Sequence, residues 1–182
     1  VVDIRGHRTV SGLDNMAYDF SNLRVLVVDD NRFMRETVEA ILKSIGIGTV
    51  YHAVDAEDGF KVTREKMPDV IVSDWDMEPG DGITLVKWLR SSPDSPDKYI
   101  PIIMLTGFSE RNRVMQARDS GVTEFLAKPV STKSMHARLM SIIDQPRPFI
   151  RTEYYFGPDR RRRVDNNYKG RERRQNKDVF FI

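Results

Sequence analysis

Acids and one lysine stand where short apolar runs stop. "RVLVV" (24–28) is followed at once by Asp29 and Asp30, and "VIVSDWDMEPGDG" (70–82) sets Asp74, Asp76 and Glu78 within five residues. "YIPIIMLT" (99–106) ends in Thr106 and leads to Gly107, and "TEFLAK" (123–128) ends in Lys128 before Pro129. Carboxylates brought close together repel and raise one another's pKa. A divalent cation relieves the repulsion. Oxygen donors without His or Cys suit a hard ion, and Mg²⁺ is the usual cellular choice. A carboxylate beside such an ion is also a nucleophile toward phosphorus, giving an aspartyl phosphate. Lys128 would neutralise one phosphoryl oxygen as a point charge. The Thr106 hydroxyl and the Gly107 N–H would bond others, with Gly107 letting the backbone approach closely.

That chemistry requires elements that bring the four places together. The apolar pattern predicts strands over 24–28, 49–54, 69–73, 99–106 and 123–128, with Pro101 near the start of the fourth. Helical spacing predicts helices over 32–45, stopped by Gly46, then 56–66, 82–91, 110–119 and 132–144. Strands alternating with helices imply parallel pairing through right-handed crossovers, with helices on both faces. Continuous rather than alternating apolar runs agree with strands buried on both sides. In such an open α/β sheet ligands sit at the carboxyl ends of the strands. Asp29, Asp30, Asp74, Thr106 and Lys128 all stand at those ends.

The pieces "VLVVDDN" (25–31), "VIVSDWDMEPGDG" (70–82), "IIMLTG" (102–107) and "FLAKPV" (125–130), in this order, resemble the receiver domain of two-component response regulators. The resemblance covers roughly residues 22 to 145. It implies a flavodoxin-like (βα)5 fold, a doubly wound parallel sheet in the order 2-1-3-4-5. It implies Asp74 as phosphoacceptor, Asp29 and Asp30 as metal-binding acids, and Asp76 as the residue whose backbone carbonyl joins them on Mg²⁺. It implies Thr106 and Lys128 as the phosphoryl-sensing pair, Gly107 beside them, and Phe125 as the aromatic switch. Two features depart from the common pattern. The loop after Asp74 reads "MEPGDG" (77–82) with an added Glu78, and the switch residue is Phe rather than Tyr. Asp76 and Phe108, each two residues past a site residue, would flank the path of an attacking water. The implied function is a single-domain response regulator. A histidine kinase or phosphotransfer protein would phosphorylate it, and a downstream protein would read it. The chemistry is self-directed, so the chain is not an enzyme that turns over a substrate.

Plainer readings exist for each residue taken alone. Asp29 and Asp30 suit a helix N-terminus, although Asn31 can cap by itself. Asp74 suits a strand-end turn, and Lys128-Pro129 an ordinary strand exit or a cis-proline turn. Phe125 reads as a core aromatic, Trp75 as a partly exposed rim residue and Trp88 as a helix packing residue. The Asp-x-Asp of "DWDME" is shared with haloacid-dehalogenase-type phosphatases. That family sets it after its first strand, however, and would leave Asp29-Asp30 unexplained. No P-loop or dinucleotide fingerprint is present.

The 182 residues suffice for one domain with a sizeable core and an appendage: 1–23 as a leader, 24–145 as the receiver and 146–182 as a basic, aromatic tail. There is no cysteine, which removes disulfide and thiolate chemistry. No stretch has the length of a membrane-spanning helix and no signal peptide is visible, so the expected location is cytoplasmic, without membrane contact. The chain opens on Val1, as if its start were trimmed or lay upstream. Its formal charge of +2 is uneven, since 146–182 hold eleven Lys/Arg against five Asp/Glu. That segment is too short and polar for an independent core. It reads as a disordered tail, as an arm docking Phe149, Tyr154, Tyr155 and Phe156 on the receiver or a partner, or as a nucleic-acid contact using arginines and tyrosines. The terminal "VFFI" would suit strand addition to a sheet edge. A homodimer stands among the expected partners.

Overall fold

The computed structural model describes residues 18–107, 119–159 and 178–180. In chain order these form β1 (Arg24–Val28), α1 (Arg32–Ile45), β2 (Thr49–Ala53), α2 (Ala56–Lys66), β3 (Val70–Asp74), α3 (Gly82–Ser91), β4 (Ile102–Thr106), β5 (Glu124–Ala127) and α4 (Thr132–Asp144). Three further strands follow: β6 (Phe149–Thr152), β7 (Tyr155–Pro158) and β8 (Asp178–Phe180). Strands β1 to β5 form one parallel sheet in the order β2-β1-β3-β4-β5. This is the flavodoxin-like arrangement that the resemblance implied.

Successive strand side chains point to opposite faces, so each strand feeds two cores. Leu26, Val28, Ile71, Ile102 and Met104 pack toward α2 and α3, against Ala56, Leu85, Val86 and Leu89. Val25, Val27, Val72, Ile103, Leu105 and Leu126 pack toward α1 and α4, against Val38, Leu42, Met135 and Leu139. Polar groups set the helix ends. The Asn31 side chain accepts from the N–H groups of Phe33 and Met34, and Asp81 accepts from Thr84 N–H. Ser131 and Ser134 close a reciprocal capping box on α4. Gly46, at φ 100°, ends α1 in the left-handed region and donates to the carbonyls of Leu42 and Lys43.

Several expectations need correction. β4 begins at Ile102 rather than Tyr99, because Pro101 has no N–H for a ladder and only its carbonyl is used, by Ile71 N–H. Phe108 and residues 110–118 of the helix expected over 110–119 lie outside the described residues, while Asp119, its last residue, is helical. Trp75 is not a rim residue. The chain bends after Asp74, Trp75 N–H still bonds the Leu105 carbonyl at 3.1 Å, and Trp75 and Met77 lie in the core at 6% and 5% exposure. Asp76 and Glu78 alternate outward. Phe20, in the expected leader, is buried in the α1–α4 core and meets the His136 ring edge-on.

Beyond Pro146 the chain turns back on the main sheet. β6 pairs antiparallel with β7 on one side and β8 on the other. Phe149 and Ile150 are buried. The Phe149 and Phe156 rings lie 5.2 and 5.4 Å from that of Tyr99. Gly157 meets Gly121 so closely that a Cβ on Gly157 would stand 2.8 Å from the Gly121 Cα. The small sheet thus has no core of its own and borrows one from the body.

Candidate functional site

Parallel pairing stacks the strand ends at one level. The register Val28↔Ser73, Asp74↔Leu105 and Thr106↔Ala127 carries the residues after β1, β3, β4 and β5 to a common edge. There one carboxylate oxygen from each of Asp29, Asp30 and Asp74 lies within 4.8 Å of the others. Lys128 reaches in from β5, with Nζ 2.8 Å from Asp74 Oδ1 and 3.8 Å from Asp29 Oδ2. The Lys128-Pro129 peptide is cis.

Backbone donors hold each acid. Asn31 N–H donates to Asp29 Oδ1 at 2.8 Å, Trp75 N–H to Asp74 Oδ1 at 2.8 Å, and Glu78 N–H to Asp30 Oδ2 at 3.2 Å. Asn31 caps α1 by itself, so capping does not account for Asp29 and Asp30. Asp29 and Asp74 are buried, while Asp30 opens to solvent. Asp29 Oδ2 is buried with no hydrogen-bond donor, an unfavourable state for a carboxylate oxygen. An oxygen-only donor set, with one under-coordinated buried oxygen and one wet flank, fits a hard cation that retains part of its water.

Thr106 ends β4 half-buried, and its carbonyl accepts Lys128 N–H at 2.8 Å, which fixes the backbone from which the lysine projects. Gly107 is exposed, and among the described residues a Cβ there would meet nothing within 4 Å. Phe125 is half-buried against the α2–α3 core. Pairing of Met104 with Phe125 and of Thr106 with Ala127 puts Phe125 on the same sheet face as Thr106. Asp76 stands exposed beside the cluster, and its charge bears on Asp74.

Two residues that position the site escaped the sequence reading. Arg35, on α1, donates through Nη1 to the carbonyls of Asp29 at 2.6 Å and Asp30 at 3.2 Å, and so holds the turn that presents both acids. It reads in sequence as an ordinary basic helix residue; only its place four residues after the cap Asn31 could have pointed to it. Gly82 opens α3 against the end of β3, where a Cβ would come within 2.1 Å of the Asp74 carbonyl oxygen. Its signal was a glycine at the first helical position, directly after a capping aspartate.

Burial pushes the Asp74 carboxyl above the usual carboxylate range. The hydrogen bond and charge of Lys128 and the Trp75 N–H pull it back in part, and Asp76 pushes it up further. Burial also raises Asp29; the Asn31 N–H opposes this, Asp74 adds to it, and Lys128 opposes it again. The unfolded chain therefore releases this Asp29 proton at lower pH than the folded one. The folded state holds more protons between those two values, and its stability falls as pH rises through that window. At neutral pH the unfavourable contribution is complete. Asp29→Asn is thus expected to raise the stability of the metal-free protein at pH 7 by about 0.5–2 kcal/mol, the range of single stabilising changes. The gain should vanish on acidification below the ordinary carboxylate range. Denaturant melts at both pH values check this, and an equal or lower stability at pH 7 would contradict it.

The sequence profile of the response regulator receiver domain matches residues 25–140. Over 124 residues the chain is 28% identical to the chemotaxis protein CheY-3 of Vibrio cholerae serotype O1, covering 68% of this chain and 94% of that protein. Over 125 residues it is 31% identical to the phosphate regulon transcriptional regulatory protein PhoB of Escherichia coli K12, covering 69% of this chain and 53% of PhoB. Among solved structures, that of the chemotaxis response regulator CheY4 of Vibrio cholerae matches with a TM-score of 0.60 and 29% identity, over 66% of this chain and 98% of that one.

Proposed function

Because the chain belongs to the response regulator receiver domain family, we propose that Asp74 accepts a phosphoryl group and that the phosphorylated chain signals by protein–protein interaction. The observation that carries this reading is the convergence of Lys128 Nζ on Asp74 Oδ1 at 2.8 Å, beside the buried Asp29. A lysine so placed serves a dianionic phosphoryl group better than it serves the bare carboxylate.

A carboxylate oxygen of Asp74 attacks phosphorus as the bond to the donor breaks, and the bonding pair leaves with the donor. The donor is the phosphohistidine of a histidine kinase or phosphotransfer protein. Asp29, Asp30 and Asp74, with the Asp76 carbonyl, would hold Mg²⁺, which neutralises charge on the transferring group when bound. Lys128 takes one phosphoryl oxygen, and the Thr106 hydroxyl and Gly107 N–H take others. The Phe125 ring fills the space that Thr106 leaves as it moves inward. Later attack by water frees Asp74, so the chain governs its own phosphoryl lifetime and turns over no separate substrate. The proposed place of action is cytoplasmic; among the described residues no helix is long and apolar enough to cross a membrane.

Trp75, whose N–H already bonds Asp74 Oδ1, is a built-in reporter. Mg²⁺ should change its fluorescence saturably in the intact chain. Asp30→Asn should weaken that response by at least about 10-fold, since even outer partners of a metal contribute 10–100-fold. A flat titration, or an unaltered one in the variant, would remove Mg²⁺ from this site.

A further inference from the structure

Glu78 is the residue by which the loop after β3 departs from the common pattern, and neither metal binding nor phosphoryl transfer assigns it a part. Its N–H donates to Asp30 Oδ2 at 3.2 Å, which seats it at the wet flank of the carboxylate cluster. Its side chain is exposed. Among the described residues the neighbouring cations are committed elsewhere. Lys128 lies on Asp74 and Asp29, Arg32 is paired with Glu36 at 2.8 Å, and Arg35 is turned to the Asp29 and Asp30 carbonyls.

The inside and the mouth of the site therefore differ in charge. Inside, Lys128 Nζ at 2.8 Å from Asp74 Oδ1, and the buried Asp29 Oδ2 that no donor meets, mark where positive charge is gathered for an arriving phosphoryl group. At the mouth, Asp30, Asp76 and Glu78 are all exposed. Even with Mg²⁺ bound, its two charges and that of Lys128 face five carboxylates, those of Asp29, Asp30, Asp74, Asp76 and Glu78. Whatever approaches meets a net negative field. An acyl phosphate arrives as a dianion with no counter-charge of its own. A phosphohistidine on a protein brings neighbours with it, and basic neighbours turn the same field into attraction.

Resting on the phosphoacceptor reading of Asp74, we propose that Glu78 sets the choice of phosphodonor. It disfavours free anionic donors and favours a phosphohistidine carried on a basic protein surface. It acts through its field on the approaching donor, without touching the phosphoryl group, and is a specificity residue rather than a catalytic one. Asp30 cannot take this part alone, since it is one of the acids that would hold the metal and its charge is answered there.

The test uses the full chain with saturating Mg²⁺, so that any effect of Glu78 on metal binding drops out, and follows phosphoryl uptake by intact mass. At about 0.01 M ionic strength, where the screening length is about 30 Å, Glu78→Gln should react with acetyl phosphate about 3- to 5-fold faster than wild type. That is the effect of removing one unit charge about 8–10 Å from a dianion in water. At about 1 M, where the screening length is about 3 Å, the ratio should fall to about 1. Of two phosphohistidine peptides, one flanked by arginines and one by glutamates, the first should phosphorylate wild type faster. Glu78→Gln should shrink that preference by about 3-fold or more. Glu65→Gln, which removes an exposed acid at the far end of α2, should leave these rates unchanged. A Glu78→Gln rate equal to wild type at low salt, or an equal acceleration in Glu65→Gln, would overturn the assignment while leaving the phosphoacceptor in place. A wild-type chain that takes up no phosphoryl from any of these donors would overturn both.

Discussion

Asp74→Asn should take up no phosphoryl group. With Mg²⁺ and a small acyl phosphate, the wild-type chain is expected to gain one acid-stable, base-labile phosphoryl group, read by intact mass, and the variant none. The amide retains an acceptor for Trp75 N–H, which meets Asp74 Oδ1 at 2.8 Å, but it has no nucleophilic oxygen. Misfolding would not account for the loss. Burial holds the Asp74 carboxyl above its usual range despite the partial offset from Lys128, so the folded state already disfavours its charge. Removing that charge should leave thermal stability at neutral pH equal or higher. Labelling that persists in a folded variant would move the nucleophile to Asp29 or Asp30.

Arg90→Met should destabilise the whole protein by about 2–4 kcal/mol. Arg90 is 4% exposed and bonds three carbonyls, two ahead of β4 and one ahead of β5. Burial lowers its pKa to about 10, offset in part by Asp97 and Tyr155, so it remains charged at neutral pH. A methionine recovers the desolvation of the guanidinium and fills similar space. It leaves three acceptors without donors, each worth about 1–3 kcal/mol when buried, and it removes the cation beneath Phe149. The orphaned carbonyls outweigh the regained desolvation. For a chain of this size the melting temperature should fall by about 5–15 °C. Arg90→Lys should lie between the two, since one ammonium cannot span the geometry of a three-pronged planar fork. Denaturant melts read both variants. A methionine variant within a degree or two of wild type would show that water satisfies those carbonyls and that Arg90 does not anchor the extension.

Local pattern by itself determined the main sheet and where its chemistry stands. Apolar runs ending in acids, helical spacing between them, Asn31 as a cap and Gly46 as a stop are all properties of neighbouring residues. Strict strand–helix alternation then leaves little choice but parallel pairing. Parallel pairing sends every strand's carboxyl end to one edge, so the meeting of Asp29, Asp30, Asp74 and Lys128, with Thr106 at the same edge, follows without knowledge of side-chain contacts. What depended on partners far along the chain was decided only by the tertiary structure. Trp75 looked like a rim residue because its neighbours are charged, yet the bend that follows β3 leaves it in the core beside α2 and α3. Arg35 and Arg90 look like ordinary helix arginines; which carbonyls they meet depends on loops 5 to 31 residues away. The segment after Pro146 lacks the apolar content for a core of its own. Its residues 149–158 take their order from Tyr99, Arg90 and Gly121, surfaces that exist only once the main sheet has formed.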